Sequence, residues 1–344
     1  MKASYHKYTL NFKRPSGTSR GVMTTKETWF LIVEENGKIG IGECGILRGL
    51  SVDDKPNYEE KLAWTCQNIH FGLDKLLPEL IEYPSIQFGL EMAFKSLESS
   101  NRFELFPSAF TKGLDGISIN GLVWMGEEAF MRKQIEEKIE AGFDCIKLKI
   151  GAIDFQTELN ILKSIRKEFS TSDIELRVDA NGAFSKDEAL EKLKRLSDFK
   201  LHSIEQPIKP KQFEAMANLC EQTPIPIALD EELIGVFSNE EKEKVLNTIK
   251  PQYIILKPSL VGGFKGSKQW IDSAEDLKIK WWITSALESN VGLNAISQWT
   301  YTLKNKMPQG LGTGSLFTNN FESPLTVKNG TLHYNNSNHW NFNL

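Results

Sequence analysis

The chain has 344 residues, 40% hydrophobic and 25% charged, and its 41 basic and 45 acidic side chains leave a formal net charge of −4. That length allows one large α/β barrel or two ordinary domains, and the charge offers neither the basic surface that nucleic acid requires nor a polybasic membrane patch. No run of eighteen apolar residues occurs, the N-terminal MKASYHKYTLNFKRP lacks the apolar centre of a secretory leader, and the four cysteines form no C-x-x-C pair. These features predict a cytoplasmic protein with free thiols.

KYTLNF (7–12) reads as a strand, the polar 13–27 as a loop, and TWFLIVEENGKIGIGE (28–43) as a hairpin turning at Asn36-Gly37, the dipeptide that two-residue hairpin turns favour. Residues 58–80 and 86–100 carry apolar residues at helical spacing. Residues 1–112 are thus expected to form an α+β module.

Beyond that point short apolar strands alternate with charge-rich amphipathic helices. The strands are GISINGLVW (116–124), CIKLKIG (145–151), IELRVDANG (174–182), LHSIEQPI (201–208), IPIALDEE (225–232), YIILKPSLVGG (253–263), IKWWITSALES (279–289) and the weaker PQGLGTG (308–314). Repeated βα units imply a parallel sheet, and eight strands imply closure into a barrel over residues 113–317. The tail, 318–344, contains a second N-G hairpin in LTVKNGTLHYN and is expected to join the N-terminal module.

Barrel active sites form at the C-terminal ends of the strands. Period-2 alternation in CIKLKIG sets Lys147 and Lys149 on one face of a strand; alone, such a pair reads as a solvated face. However, Asp179, Glu205, Asp230 and Lys257 each lie at the same end of a predicted strand, and the steps from Lys149 onward are 30, 26, 25 and 27 residues, one βα unit each. A lone acid after a strand is usually a helix cap. Four successive units with this order of charges instead point to one mouth, where three carboxylates form an oxygen site for a hard cation such as Mg²⁺ beside an anionic substrate. A second ammonium and a nearby dication would lower a lysine pKa and give access to a neutral amine base, while the metal would stabilise the enediolate left when an α-proton departs.

Lys-x-Lys, Asp, Glu, Asp and Lys on successive strands resemble the enolase superfamily in its muconate lactonizing subgroup. RVDANGAF, ALDEEL, KPSLVGGF, SALESNVGLNA and GECGILRGLS (42–51) resemble the o-succinylbenzoate synthase family within it. The resemblance implies an α/β fold, a modified (β/α)7β TIM barrel with an N-terminal α+β capping domain. It also implies a lyase that uses Mg²⁺, with Mn²⁺ as a substitute, on a small carboxylate. The implied reaction is syn dehydration of 2-succinyl-6-hydroxy-2,4-cyclohexadiene-1-carboxylate to 2-succinylbenzoate in menaquinone biosynthesis. In it Asp179, Glu205 and Asp230 hold the metal, and Lys149 acts as base and then acid. Lys257 supplies charge from the opposite face, and Lys147 is the companion of Lys149. A Lys base with Mg²⁺ is how sites of this superfamily work in general.

Arg177 and Asn181 share the inward face of Asp179's strand. Arg177 is a candidate substrate contact or a structural ion pair inside the barrel, Asn181 a candidate substrate contact, and Ser285 a candidate hydrogen-bond donor at the end of strand seven or an ordinary strand-end serine. Loops 18–23 and 45–51 are expected to cover the site. The alternatives are an N-succinylamino acid racemase or a dipeptide epimerase, the latter disfavoured because QGLGTGSLF (309–317) lacks an acid pair. A non-catalytic barrel is disfavoured because all six charged residues are present. None of the five histidines ends strand six or seven, which disfavours relatives with a histidine base.

Overall fold

The computed structural model describes residues 1–18 and 21–344. Its N-terminal layer is an antiparallel sheet of β1 (Lys2–Thr18), β2 (Gly21–Glu35) and β3 (Lys38–Gly45). The turn between β2 and β3 is the expected one: Asn36 and Gly37 have φ of 50° and 77°, the left-handed pair that a tight right-twisted hairpin needs. The expected loop at 13–27 is instead strand. β1 and β2 stay paired to Asn11↔Thr25, shift register, and pair again at Ser16↔Met23, so the two strands run on as a ribbon. Most side chains along this ribbon meet solvent, which is why it carries no alternating hydrophobic signal. Gly17 bridges Met125, beside the end of the first barrel strand.

The expected helix over 58–80 is interrupted. α1 (Tyr58–Gln67) and α2 (Leu73–Glu79) are separated by a short 3₁₀ turn and by Gly72, whose φ of 80° breaks the helix. α3 (Pro84–Glu98) lies between the N-terminal sheet and the barrel and is buried nearly all round. It approaches β3 through glycines: a methyl at Gly42 would stand 1.8 Å from the carbonyl oxygen of Gly89.

GISINGLVW divides between two sheets. β4 (Gly116–Ser118) pairs with the tail hairpin, while β5 (Gly121–Val123) begins the barrel. The change of partner falls between two residues: the Ile119 amide donates to Gly330, the Asn120 amide to Gln309. From β5 the chain alternates through α4 (Glu128–Glu140), β6 (Cys145–Lys149), α5 (Phe155–Glu168), β7 (Glu175–Asp179), α6 (Ala189–Ser197), β8 (Ser203–Glu205), α7 (Phe213–Gln222), β9 (Ile227–Leu229), α8 (Asn239–Ile249), β10 (Tyr253–Leu256), α9 (Gly263–Asp276), β11 (Lys280–Ile283) and α10 (Asn290–Thr302). β5 to β11 form one seven-stranded parallel sheet in sequence order. The expected eighth strand is reduced to two parallel bridges, Thr284↔Gly310 and Ile119↔Gln309, which link the sheet's two edges. At this seam the Gln309 side chain accepts from the Ile283 amide at 2.7 Å, in the role a longer strand's carbonyl would fill.

The tail hairpin, β12 (Leu325–Lys328) and β13 (Thr331–Tyr334), pairs with β4 rather than with the N-terminal sheet. The N-terminal layer is met by other parts of the tail: Asn319 bonds the backbone of Thr9 and Asn11, and Phe321 and Phe342 pack on Phe30. The layer also reaches the barrel through buried carboxylates. Glu43 on β3 accepts from the Ser289 amide (2.9 Å) and hydroxyl (2.6 Å), the Gly292 amide (2.8 Å) and the Thr28 hydroxyl (3.0 Å), so it caps α10 across the interface. Glu91 on α3 likewise accepts from the Phe264 and Lys265 amides at the start of α9. In both cases the carboxyl oxygens satisfy amides that the first turn of a helix leaves without an intrahelical partner. Among the described residues no helix is long and apolar enough to cross a membrane.

Candidate active site

Pairing register assembles the mouth. Lys149 stands opposite Asp179, and Asp179 opposite Glu205, so three adjacent strands deliver these side chains at one level. Asp230 directly follows β9 and Lys257 directly follows β10. On β6, Lys147 and Lys149 turn into the barrel and each is only 8% exposed, so the pair is not a solvated face. Buried lysines need partners. Lys147 Nζ donates to Glu205 Oε2 at 2.6 Å and lies 3.3 Å from Asp179 Oδ2. Lys149 Nζ donates to Asp179 Oδ2 and to Asn181 Oδ1, both at 2.8 Å, and Lys257 Nζ bonds Asp230 Oδ2.

Lysine–carboxylate pairs dominate the electrostatics of the mouth. Burial opposes the ammonium of Lys147, but Glu205 and Asp179 outweigh it and hold the pKa above the ordinary lysine value. Lys257 is raised in the same way, against burial, by Asp230 and Glu205. The facing carboxylates thus act more strongly than the neighbouring ammoniums. Burial pushes Glu205 well up, helped by the repulsion of Asp179 and Asp230, and its Oε1 is buried without a hydrogen-bond partner. Asp179 goes the other way: burial would raise it, but Lys149 and Lys147 hold it well below the carboxylate range. Among the described residues no group of three or more His, Cys, Asp or Glu side chains stands in metal-holding geometry, since each carboxylate of the trio is tied to a lysine. The donor set nevertheless fits a hard dication. It offers three carboxylates at rigid strand ends and one buried carboxylate oxygen unmatched.

Lys147, Lys149, Asp179, Asn181, Lys257 and Ser285 line a single cavity of about 620 Å³, a volume suited to a small molecule. Glu205 and Asp230 are not among its lining residues; their lysine partners are. Arg177 is not at the mouth either. Its guanidinium pairs with Glu175 (2.7 Å), donates to the Pro308 carbonyl (2.9 Å) and stacks on Trp282, all toward the N-terminal end of the barrel. This is the structural ion pair, and it leaves the proposed substrate contact without support. Ser285 Oγ shares a 2.6 Å hydrogen bond with Thr313 Oγ1, a partner sequence reasoning did not single out. The Asn181 carboxamide is held between Lys149 and Glu231, while the residue's backbone, at φ 45°, donates its N–H to Asp179 Oδ1 at 3.0 Å.

From the N-terminal layer, Leu47, Arg48 and Leu50 of the 45–51 loop line the same cavity, and so do Gly21, Val22 and Met23, expected in a covering loop at 18–23 but found at the start of β2; Ser19 and Arg20 lie outside the described residues. Arg48 is fixed by Glu27 at 2.5 Å and Asp54 at 2.6 Å.

Residues 130–337 match the family described as "Enolase C-terminal domain-like". The chain is 47% identical, over 96% of its length and 98% of the relative's, to an o-succinylbenzoate synthase of Desulfotalea psychrophila (strain LSv54 / DSM 12343). A crystal structure of MenC from Desulfotalea psychrophila LSv54 superposes with a TM-score of 0.86 at 44% identity, covering 97% of this chain and 99% of that one. A dipeptide epimerase from Enterococcus faecalis V583, complexed with Mg and the dipeptide L-Leu-L-Tyr, shares the fold at a TM-score of 0.84 with 19% identity, covering 96% of each chain. The chain belongs to the enolase superfamily and, within it, to the o-succinylbenzoate synthase family of lyases.

Proposed function

We propose that this protein dehydrates 2-succinyl-6-hydroxy-2,4-cyclohexadiene-1-carboxylate to 2-succinylbenzoate by a syn elimination in menaquinone biosynthesis, as a cytoplasmic enzyme. The observation that carries the reading is the pair of ammoniums, Lys149 and Lys257, lining one cavity with Asp179, while Glu205 and Asp230 lie behind its wall, bonded to Lys147 and Lys257. The 47% identity to an o-succinylbenzoate synthase over nearly the whole chain favours this reaction among those of the superfamily. Residues 113–317 would form the catalytic barrel, and residues 1–112 the cap that closes it, joined by the tail around Asn319, Phe321 and Phe342 but not by its hairpin.

Asp179, Glu205 and Asp230 would hold Mg²⁺, with Mn²⁺ as a substitute. When bound, the ion supplies positive charge that draws in a substrate carboxylate and eases build-up of negative charge on its oxygens. Lys149, as the amine, takes the α-proton; the resulting ammonium then gives a proton to the departing hydroxyl on the same face. Its hydrogen bonds to Asp179 and Asn181 hold Nζ in place for both transfers. Lys257 contributes charge from the other side, Lys147 compensates the crowded carboxylates, and Ser285 with Thr313 offers hydroxyls to the succinyl arm. Aromatisation of the ring drives the elimination.

The test is metal-dependent loss of the cyclohexadiene chromophore with purified protein. Chelated protein should be inactive and recover with Mg²⁺ or Mn²⁺, and calorimetry should show weakened Mg²⁺ binding in Asp179→Ala, Glu205→Ala and Asp230→Ala. Full turnover after exhaustive metal removal would refute the reading.

A further inference from the structure

One buried acid at the mouth is left over by this scheme. Glu231 follows Asp230 and is 5% exposed, and its Oε1 accepts from Asn181 Nδ2 at 3.0 Å. On the other side of the same carboxamide, Asn181 Oδ1 accepts from Lys149 Nζ at 2.8 Å. The chain thus runs carboxylate, amide, lysine. A carboxylate only accepts and an ammonium only donates, so both neighbours demand one orientation of the amide.

That agreement ends during the reaction. Once Lys149 is a neutral amine it also has a lone pair, and a reversed Asn181 would point its NH₂ group at that lone pair and occupy it. The Asn181 backbone does not prevent reversal, since its N–H bond to Asp179 Oδ1 fixes the main chain and not the terminal torsion. Glu231 does prevent it: reversal would exchange a charge-assisted N–H···O⁻ bond for two oxygens face to face.

We propose that Glu231 is a positioning residue for Lys149, keeping the Asn181 amide oxygen toward the lysine so that the amine lone pair stays available to the substrate proton. The inference rests on the reading of Lys149 as the base. It concerns orientation and not charge, and that distinction makes it testable.

The variants are Glu231→Gln and Glu231→Met in the full-length, Mg²⁺-loaded enzyme, with Glu231→Leu as a second apolar replacement should the methionine variant not fold. Turnover is followed by loss of the cyclohexadiene chromophore, and Mg²⁺ affinity by calorimetry. Glu231→Met should lower kcat by about 10- to 100-fold, with KM and Mg²⁺ affinity within about threefold of the parent. Glu231→Gln also loses the charge, but its Oε1 takes the same bond from Asn181 Nδ2, so kcat should recover to within about threefold of the parent. On an Asn181→Leu background, where no amide can reverse, Glu231→Met should change kcat by less than about twofold. Equal losses in the Gln and Met variants would overturn the proposal, as would parental kcat in Glu231→Met or a fall in Mg²⁺ affinity that accounts for its loss. Lys149→Ala separates the two layers. If it keeps turnover, the reading of Lys149 as base fails; if it is dead while Glu231→Met is fully active, only the role of Glu231 fails.

Discussion

Replacing Glu43 by alanine should cost more stability than its place on a peripheral sheet suggests. Its carboxylate receives four hydrogen bonds, and two of the donors are the buried Ser289 and Gly292 amides at the first turn of α10. In Glu43→Ala the Thr28 hydroxyl still has the Cys44 carbonyl at 3.5 Å, but the two amides point into the space left by the carboxylate. Each unsatisfied amide costs about 1–3 kcal/mol. Loss of negative charge at a buried helix N-terminus adds about 1–2 kcal/mol. The expected loss is therefore about 3–8 kcal/mol, against the roughly 5–15 kcal/mol that keeps a typical protein folded. Glu43→Gln, which keeps one acceptor, should lose about half as much and serves if the alanine variant does not accumulate. Urea unfolding followed by tryptophan fluorescence, extrapolated linearly, reads the difference. A loss below about 1 kcal/mol in Glu43→Ala would refute the claim that this carboxylate fastens the N-terminal layer to the barrel.

Glu91 gives a pH signature: burial pushes its carboxyl from the ordinary 4.5 up to about 7 despite the Phe264 and Lys265 amides. A raised carboxyl pKa means the folded state holds the proton more tightly, so this contribution is present below pH 4.5 and disappears as pH rises through about 7, an effect on the order of 3 kcal/mol. Glu91→Gln should flatten the stability profile across that window, and an unchanged profile would show that Glu91 does not titrate there. Lys149→Arg should abolish dehydration, whereas Lys257→Arg keeps the cation and should retain part of it, because guanidinium does not exchange protons near neutrality; equal and complete loss in both would give Lys257 a proton-transfer role. Gly42→Ala should destabilise by several kcal/mol in the same urea assay, since its methyl would meet the Gly89 carbonyl at 1.8 Å; near-parental stability would mean that α3 can slide on β3.

The barrel was legible because its strands are short, apolar and evenly spaced, and because charged residues recur once per βα unit. The same spacing exposed Lys147, Lys149, Asp179, Glu205, Asp230 and Lys257, which the structure brings together at one end of the sheet. Other features depend on long-range geometry that no local pattern encodes. The β1–β2 ribbon carries polar side chains outward, and the eighth strand is two residues at a seam. Arg177 lay on the inward face as expected, but alternation cannot say at what depth a long side chain ends, and this one turns down to Glu175. Glu231 was visible as the first of two acids after Asp230, yet only the folded chain shows the amide between it and Lys149.

The fastening of β3 to α10 also bears on the order in which the protein can be made. Glu43 meets Ser289, 246 residues later in the chain, and Tyr8 donates to the carbonyl of Asn319, 311 residues later. At about 5–20 residues per second, a ribosome needs roughly 12–50 s to deliver Ser289 after Glu43. Through that interval the Glu43 carboxylate has no helix to cap, and α3, already packed on β3, has no barrel to meet on its other side. The N-terminal layer is therefore made before the barrel it is fastened to, and this fastening can form only after residue 292 has been added to the chain.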